Sequence, residues 1–352
     1  MQYTQLGNTG VFVSRICLGA MTFGGKGGVF EVIGGLAQHD VNTLVGNSLD
    51  AGVNFIDTAN VYAAGESETL TGKALGTKRK DVVLATKVFG RMGPGANQVG
   101  LSRLHIMQEA EASLQRLGTD YIDLYQIHQF DKLTPLEETL GALTDLVRQG
   151  KVRYIGCSNL AAWQIMKALG VSAAEHLEKF VTLQAYYSIA GRELEREIIP
   201  ALADRKLGLL VWSPLAGGFL TGKFKRTGTV SGDETARRKK FLFPPVNLEK
   251  GYDIVDAMDR AGKKRGATVA QVALAWLLHK PGVTSVIIGA RNAHQLKDNL
   301  GSSDVVLDEA DINELDEISA LTPEYPGWMI GGDDRRPGQV RDWSKLMVPE
   351  KK

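Results

Sequence analysis

Short, continuous apolar runs alternate along most of the chain with longer segments whose apolar residues recur at helical spacing. The segment that begins at Asp40 is typical, because Val41, Leu44 and Val45 fall on one face of a helix. Apolar runs without polar alternation are typical of strands buried on both faces, as in a parallel sheet covered by helices. Eight strand–helix units of this kind predict a single α/β domain over residues 1–322, a (β/α)8 TIM barrel.

The ends of the apolar and periodic runs set the predicted boundaries. The predicted barrel strands are Arg15–Leu18, Phe55–Asp57, Val82–Lys87, Tyr121–His128, Val152–Cys157, Val181–Ala185, Gly208–Trp212 and Ser285–Gly289. The predicted helices are Asp40–Leu49, Glu66–Leu75, Arg103–Leu117, Pro135–Gln149, Ala161–Leu169, Glu193–Lys206 and Asn292–Leu300. Gly52 and Gly150 favour helix C-termini, and Pro135 favours the first turn of its helix.

Three segments lie outside the repeated unit. Leu6–Val11 has turn residues between two short extended runs and predicts an N-terminal β-hairpin that closes the barrel floor. Gly222–Gly251 is long and polar, carries the basic run at 237–240, and is interpreted with equal weight as a solvated excursion or as a lid over the barrel mouth. Leu307–Leu321 predicts an extra C-terminal helix, and the tail 323–352, which contains Trp328 among Pro and Gly, is expected to pack near the mouth.

Composition excludes several classes of function. With a net charge of +1 and 23% charged residues, the 352-residue chain has no field to hold nucleic acid or an anionic membrane. The sequence has neither a secretory leader pattern nor an apolar run of spanning length, so we expect a cytoplasmic protein that does not enter a membrane. Cys17 and Cys157 lie inside predicted strands and favour reduced core residues over a disulfide or a metal site. Monomer and homo-oligomer both stay open.

Three successive predicted strands end in ionisable residues. Asp57 closes the second strand, Lys87 the third and His128 the fourth. The C-terminal ends of parallel barrel strands open on one face, where the loops build the active site. A buried carboxylate is tolerated only when something pairs with it, so we expect Asp57 and Lys87 to form an ion pair. Tyr62 follows the second strand closely enough to join them.

These four side chains suit the reduction of a carbonyl group. A free tyrosine has a pKa of about 10, and a cation about 4 Å away contributes roughly 4 kcal/mol, or up to about 3 pKa units. Tyr62 could then donate the one proton that carbonyl reduction requires, while His128 orients the substrate oxygen. Taken singly, Asp57 with Lys87 is also explained as a structural ion pair and His128 as a core histidine. Their convergence on one face favours the catalytic interpretation.

An ordered set of motifs resembles the aldo-keto reductase family from about Tyr3 to Leu321. The motifs are Phe55-Ile56-Asp57-Thr58-Ala59 with Tyr62, Thr86-Lys87, Gln126-Ile127-His128, Gly156-Cys157-Ser158-Asn159, Gln184-Ala185-Tyr186-Tyr187-Ser188, Trp212-Ser213-Pro214-Leu215-Ala216, and Gly289-Ala290-Arg291 through Gln295 to Asn299. The resemblance implies that Asp57, Tyr62, Lys87 and His128 form the catalytic tetrad. Ala63 departs from the family pattern, in which Gly is frequent after the tyrosine.

The hydride for such a reaction must come from a cofactor, and the usual dinucleotide fingerprint is missing from the sequence. The run Gly217–Lys223 resembles a P-loop, but Phe224 occupies the position of the metal-binding Ser or Thr. The sequence therefore argues against a nucleoside triphosphatase. The family resemblance instead implies a set of nicotinamide-cofactor contacts along the rim. They are Ser158, Asn159 and Gln184 for the carboxamide, Trp212 for the ring, Ser213, Leu215, Gly217 and Lys223 for the pyrophosphate, and Arg291, Gln295, Asp298 and Asn299 for the adenosine end.

The adenosine end favours NADP(H) over NAD(H). A 2′-phosphate needs cationic or amide donors, whereas a 2′-hydroxyl is usually held by an acid. Arg291 follows the eighth predicted strand and begins a helix, so its guanidinium adds to the positive end of that helix. Gln295 and Asn299 lie one turn apart on the same face, and helix geometry turns Asp298 away from them. A surface salt bridge is the alternative explanation of Arg291, and such pairs contribute little to stability.

The expected function is the NADP(H)-dependent reduction of aldehydes or ketones to alcohols, with Tyr62 as the general acid. Five loop residues are expected to form an apolar wall for a small carbonyl substrate: Met21, Phe23, Phe89, Phe130 and Trp328. Gly289-Ala290-Arg291 resembles the family branch of bacterial reductases and potassium-channel β subunits, so a redox-sensing regulatory subunit is one alternative. Vertebrate β subunits have Asn at the His128 position, which favours an enzyme here. Physiological oxidation of an alcohol is the other alternative.

Overall fold

The computed structural model describes residues 1–227, 238 and 241–330. Eight parallel strands close into a barrel in the order β10-β3-β4-β5-β6-β7-β8-β9, and β1 and β2 form a separate antiparallel hairpin. The strands are β1 Tyr3–Gln5, β2 Phe12–Ser14, β3 Ile16–Gly19, β4 Phe55–Asp57, β5 Val83–Val88, β6 Ile122–Ile127, β7 Val152–Ser158, β8 Thr182–Tyr186, β9 Gly208–Trp212 and β10 Val283–Ile288. The predicted (β/α)8 barrel is therefore confirmed.

Helices surround the barrel. In chain order they are α1 Phe30–Ile33, α2 Gln38–Asp50, α3 Glu66–Leu75, α4 Arg103–Leu117, α5 Leu136–Arg148, α6 Ala162–Ala174, α7 Ile198–Arg205, α8 Leu248–Lys263, α9 Val269–His279, α10 Ala293–Leu300, α11 Glu309–Ile318 and α12 Gly327–Ile330. Short 3₁₀ turns span Tyr62–Gly65, Gly76–Asp81, Glu193–Glu195, Ala216–Thr221 and Gly301–Asp304.

The helices differ from the sequence prediction at several places. The sequence predicted no helix at α1, α8, α9 or α12. The predicted helix Glu193–Lys206 is divided into a 3₁₀ turn and α7. Pro135 is the N-cap residue of α5 and not part of its first turn, and the extra C-terminal helix is shorter than predicted. The other predicted elements agree with the structure to within a few residues, apart from α6, which continues to Ala174.

The N-terminal hairpin fills the floor of the barrel. Its residues Leu6 and Val13 are fully buried in one cluster with Phe55 and Leu124 from the barrel strands. A Cβ atom at Gly7 would collide with the carbonyl oxygen of Val181, just before β8, so the turn lies against the N-terminal ends of the strands. The opposite, C-terminal end of the barrel stays open to the loops.

A larger apolar core lies between the barrel and the helices. Helix α9 is apolar on nearly every side, and Trp276 within it is fully buried. A helix that is hydrophobic all round is stable only when it is covered on all sides, and α9 packs against α8 and α10. None of the described helices is both long enough and apolar enough to cross a membrane.

Parts of the two irregular segments lie outside the described residues. The excursion predicted at Gly222–Gly251 includes 228–237 and 239–240, and the tail predicted at 323–352 includes 331–352. Of the basic run 237–240, only Arg238 is described, and it is buried. The described start of the tail is tied to the body by an ion pair between Glu324 and Arg196.

Two helix glycines offer a matched test of this packing. A Cβ atom at Gly72 in α3 would collide with the Leu117 carbonyl oxygen of α4, whereas Gly46 in α2 faces open space. We expect Gly72→Ala to destabilise the protein by about 1–3 kcal/mol and Gly46→Ala to stabilise it by about 0.5–1 kcal/mol. Thermal unfolding followed by circular dichroism measures both changes. Equal shifts in the melting temperature would contradict the close approach of α3 and α4.

Candidate active site

Strand register brings the predicted catalytic residues to the C-terminal rim of the barrel. Asp57 ends β4, and Lys87 lies near the end of β5 directly beside Gln126 of β6. Ser158 of β7 pairs with Gln184 of β8 farther round the same rim. Parallel strands with this register place all five residues at one end of the barrel.

Lys87 is a fully buried cation at the centre of the rim. Its Nζ donates to Asp57 Oδ1 at 2.5 Å, to the Thr58 carbonyl at 2.8 Å and to Tyr62 Oη at 3.3 Å. Desolvation lowers the pKa of Lys87, but the charges and hydrogen bonds of Asp57 and Tyr62 more than compensate, so its pKa is raised overall. The amine is therefore charged and points towards the phenol oxygen.

Asp57 is held by two amides in addition to the lysine. Its Oδ2 accepts from Gln126 Nε2 at 3.1 Å and from Gln184 Nε2 at 2.9 Å. The sequence analysis gave Gln126 no role, because its position beside Lys87 depends on strand register, which local residue spacing does not show. Both oxygens therefore accept hydrogen bonds, as an almost fully buried carboxylate requires.

Tyr62 lies in the 3₁₀ turn that links β4 to α3. Its ring packs edge-on against His128 with centroids 5.7 Å apart, and Lys87 Nζ lies 4.9 Å from its centroid. The turn carries Ala63 at φ 48° and Ala64 at φ 54°, a left-handed conformation that costs a non-glycine residue about 1–2 kcal/mol. Strain of this kind persists where the surrounding structure over-determines the backbone, as it does around this phenol.

His128 is a neutral imidazole at the rim. Desolvation first, and the nearby Lys87 charge second, lower its pKa from 6.5 to about 3. Its backbone carbonyl accepts a hydrogen bond from Asn159 Nδ2 at 3.1 Å, which ties the ends of β6 and β7 together. A neutral ring beside Tyr62 can donate or accept a hydrogen bond without adding a second charge to the site.

A buried ionic cluster supports the tyrosine turn from behind. Arg116 of α4 donates to Glu68 Oε2 at 2.6 Å and to Glu109 Oε2 at 3.2 Å. Glu68 also accepts from Thr86 Oγ1, next to Lys87, and Glu109 from Asn60 Nδ2. Burial lowers the pKa of Arg116, but its two carboxylate partners raise it overall. The cluster therefore links α3 and α4 to both segments that carry the proton-transfer residues.

The ends of β7, β8 and β9 carry the residues expected to hold the nicotinamide. Ser158 Oγ is buried and finds no hydrogen-bond partner among the described residues. Asn159 accepts from Trp212 Nε1 at 2.9 Å, which orients the indole. The indole stacks on Phe243 at 5.7 Å and leans on Tyr186 at 5.2 Å. The described end of the excursion therefore packs on the rim.

The turn after β9 has an unusual backbone conformation. Ser213, Ala216, Gly217 and Gly218 all have positive φ, and the Gly217 N–H donates to Ser213 Oγ at 3.1 Å. Successive left-handed residues form the concave amide surfaces that hold phosphate groups. Leu215 and Lys223 are partly exposed beside this turn. The sequence analysis gave no role to Arg238, which donates to the carbonyl oxygens of Ala216 and Pro244.

The start of α10 gathers the residues expected at the adenosine end. The Arg291 N–H donates to Gln295 Oε1, and its Nη2 donates to the carbonyl oxygens of Val32 and Gly34 at 3.3 and 3.2 Å. Asp298 accepts from Thr268 Oγ1 on the neighbouring helix at 3.1 Å. Asn299 is buried, and its Nδ2 donates to the Gly289 carbonyl.

The expected substrate wall is only partly assembled at the rim. Met21, Phe89 and Phe130 are partly exposed, and Phe130 packs against Trp163. Phe23 is fully buried in the outer core, so it presents no surface to a ligand in this conformation. Trp328 is 60% exposed, and its ring lies against Tyr325. The structure instead brings Phe30, which the sequence analysis did not single out, against Tyr62.

A closed parallel barrel with a charged rim defines a class of enzyme scaffold, and comparisons with known proteins identify the family. The sequence profile of the Aldo/keto reductase family matches residues 15–320. The chain is 39% identical to an uncharacterized oxidoreductase of Bacillus subtilis, YrpG, over 93% of this chain and 100% of that protein. It is 34% identical to a versiconal hemiacetal acetate reductase of Aspergillus parasiticus, over 93% of this chain and 99% of that protein. A probable voltage-gated potassium channel subunit beta of Arabidopsis thaliana is 35% identical over the same shares, 93% and 99%. The chain therefore belongs to the aldo/keto reductase family and is an oxidoreductase.

The low pKa of His128 generates a pH prediction. The His128 ring binds a proton near pH 6.5 in the unfolded chain and only near pH 3 in the folded chain. The contribution of the neutral ring to the free energy of unfolding is therefore fully present above pH 6.5 and is lost as the pH falls from about 6.5 to about 3. We expect the imidazole NMR signals of His128 to stay constant from about pH 8 to about pH 5. The exposed His39 serves as the internal control, and a His128 midpoint near 6.5 would contradict the assignment.

Proposed function

We propose that this oxidoreductase reduces aldehydes or ketones to alcohols with NADP(H), and that Tyr62 is the general acid. The observation that carries the proposal is the approach of Tyr62 Oη to within 3.3 Å of the buried Lys87 ammonium. An alkoxide forms on the substrate as its carbonyl carbon is reduced, and it needs one proton. The small-molecule carbonyl substrate and a cytoplasmic location are part of the same proposal.

Lys87 and Asp57 do different work in this mechanism. When Tyr62 gives up its proton, the ammonium stabilises the phenolate that remains, because the attraction acts in a site from which water is largely excluded. Asp57 does not donate the proton in place of the tyrosine, because both of its oxygens accept hydrogen bonds, from Lys87, Gln126 and Gln184. It holds the amine in position instead.

His128 orients the substrate. Its ring contacts Tyr62 edge-on, and it stays neutral because of burial and the neighbouring ammonium. A neutral imidazole N–H beside the phenol can donate a hydrogen bond to the same substrate oxygen that receives the proton from Tyr62. Proton donor and orienting donor then approach the oxygen from two directions.

The described residues fit a nicotinamide cofactor along the rim. The unpartnered Ser158 hydroxyl supplies a buried donor beside Gln184, and the partly exposed Trp212 offers aromatic surface. The left-handed turn Ala216–Gly218 would hold a pyrophosphate by exchanging the hydrogen bonds that its amides make within the turn. Gln184 already donates to Asp57, so its carbonyl oxygen is the group left to accept from a carboxamide. The bound cofactor supplies the hydride.

The choice of NADP(H) rests on the adenosine end. Arg291 presents its guanidinium at the start of α10, where the helix terminus adds positive potential, and Gln295 is a neutral neighbour. The nearest acid in sequence, Asp298, is turned to Thr268. Arg291 now donates to two carbonyl oxygens, and a 2′-phosphate is a stronger acceptor for the same donors.

A redox-sensing regulatory subunit is the second candidate function. It is favoured by the 35% identity to a protein named as a potassium channel β subunit. The His128 ring, which packs edge-on against Tyr62, favours turnover over simple sensing. Activity measured on a panel of aldehydes, ketones and alcohols, with either cofactor, separates the candidates. Turnover of carbonyl compounds supports a reductase, turnover of alcohols alone supports physiological oxidation, and inactivity with retained cofactor supports the regulatory subunit.

Removing the phenol hydroxyl tests the proton donor. Tyr62→Phe is expected to lower kcat for carbonyl reduction by about 10²–10⁴-fold, because it removes the proposed proton donor beside the Lys87 ammonium. Cofactor affinity, followed by fluorescence titration, should change little. Tyr3→Phe is the matched control, since it removes one hydroxyl from the N-terminal hairpin, which donates to the Gly52 carbonyl just after α2.

A Tyr62→Phe enzyme that keeps most of its turnover would remove the phenol from the mechanism. Lys87→Met should abolish reduction as well. It leaves Asp57 buried without its cation, which costs about 3–5 kcal/mol, so its folding is checked by circular dichroism. Loss of reduction in a folded Lys87→Met protein that still binds cofactor supports the role of the ammonium.

Cofactor choice is tested at Arg291. Arg291→Ala should raise KM for NADPH by about 10–100-fold and KM for NADH much less, because only NADPH loses a charge-assisted phosphate contact. Lys297→Ala removes a cation from the same helix and serves as the control. Equal losses for the two cofactors would show that Arg291 does not recognise the phosphate.

A further inference from the structure

An eleven-residue loop between β3 and α2, residues 25–35, reaches over the tyrosine turn. We refer to it as the α1 loop, because it carries the four-residue helix α1. Neither the family comparison nor the catalytic residues give it a role. Its contacts place one aromatic side chain beside the proton donor.

The base of the α1 loop is closed by backbone hydrogen bonds. The Gly24 N–H donates to the Leu36 carbonyl at 3.0 Å, and the Gly35 N–H donates to the Gly24 carbonyl at 2.6 Å. Gly24 and Gly35 have φ values of +73° and +110°, which allow the chain to turn sharply at both ends. Compact loops whose ends meet in this way hold a shape of their own and often serve function.

Two further contacts fix where the loop lies. The Gly25 N–H donates to Glu66 Oε2 at 3.2 Å, and the Ile33 side chain is buried. Helix α1 is too short to be stable on its own, so these contacts hold it in place. Glu66 directly follows the 3₁₀ turn of Tyr62, which ties the loop to the catalytic turn.

Phe30 is the residue that the loop delivers to the site. Its ring centroid lies 5.7 Å from that of Tyr62 at an interplanar angle of 52°, while His128 packs on Tyr62 at the same centroid distance and 72°. The Phe30 side chain stays partly exposed. A substrate that brings its carbonyl oxygen to Tyr62 and His128 therefore has the Phe30 ring beside it.

We propose that Phe30 is a specificity-determining residue whose ring stacks against flat aromatic aldehydes and excludes branched carbonyl compounds. The inference rests on the proposed reduction at Tyr62. Aromatic rings attract each other at centroid separations of about 4.5–7 Å, the range in which Phe30 already packs on Tyr62, beyond the effect of burial alone. A branched substituent next to the carbonyl would meet the same ring edge-on and be displaced from Tyr62.

The test compares substrates within each enzyme. The kcat/KM values of benzaldehyde, propanal and pivaldehyde are measured for wild type, Phe30→Ala, Phe30→Tyr and the control Val29→Ala, which shortens an exposed neighbour on the same loop. In Phe30→Ala, the benzaldehyde-to-propanal ratio is expected to fall about fivefold, mainly through KM, and the pivaldehyde-to-propanal ratio to rise. Phe30→Tyr should restore the first ratio, and Val29→Ala should leave both unchanged.

A purely structural role for Phe30 gives a different result. Collapse of the loop would lower kcat/KM for all three aldehydes by the same factor, and that outcome, or unchanged ratios, would overturn the inference. Failure of the proposed function is distinguishable, because wild type itself would then reduce none of the three. In that case calorimetric titration of benzaldehyde into wild type and Phe30→Ala with NADP⁺ decides the matter: weaker binding by Phe30→Ala supports the inference, and equal binding overturns it.

Discussion

The site depends on a single buried charge pair. Lys87 and Asp57 each lie beyond the reach of bulk solvent, and each alone would be strongly unfavourable there. The barrel makes the pair tolerable by surrounding it with Gln126, Gln184 and the Thr58 carbonyl, all of which come from strand ends or the residue just after. The same low polarity that makes the pair costly also strengthens its effect on the phenol.

Support for this pair extends outward through the helices. Arg116 connects Glu68 and Glu109, and these reach the segments that carry Lys87 and Tyr62 through Thr86 and Asn60. Two carboxylates share one guanidinium there, so the cluster tolerates little displacement of α3 against α4. Close packing of those helices at Gly72 therefore bears on the geometry of the proton donor as well as on stability.

Residue patterns predicted the fold and the rim more fully than the loops. Helices α3 and α4 begin and end as predicted, because a glycine directly follows each of them, Gly76 after α3 and Gly118 after α4. Helix α9 was not predicted, because apolar residues occupy nearly every side of it and no helical spacing of apolar and polar residues can be recognised. The bond from Gln126 to Asp57 depends on strand register, and the approach of Phe30 to Tyr62 depends on where a loop closes. Neither contact can be predicted from the spacing of residues along the sequence.

The hairpin gives the barrel one closed end. The fully buried side chains of Leu6 and Val13 fill the floor of the barrel. Ligands and water therefore reach the charge pair from the opposite mouth. The group that covers that mouth, either Phe243 stacked on Trp212 or a bound ligand, therefore sets how strongly solvent screens the charges of Lys87 and Asp57. A group that covers the mouth of the barrel therefore also lowers the polarity of the surroundings of this charge pair.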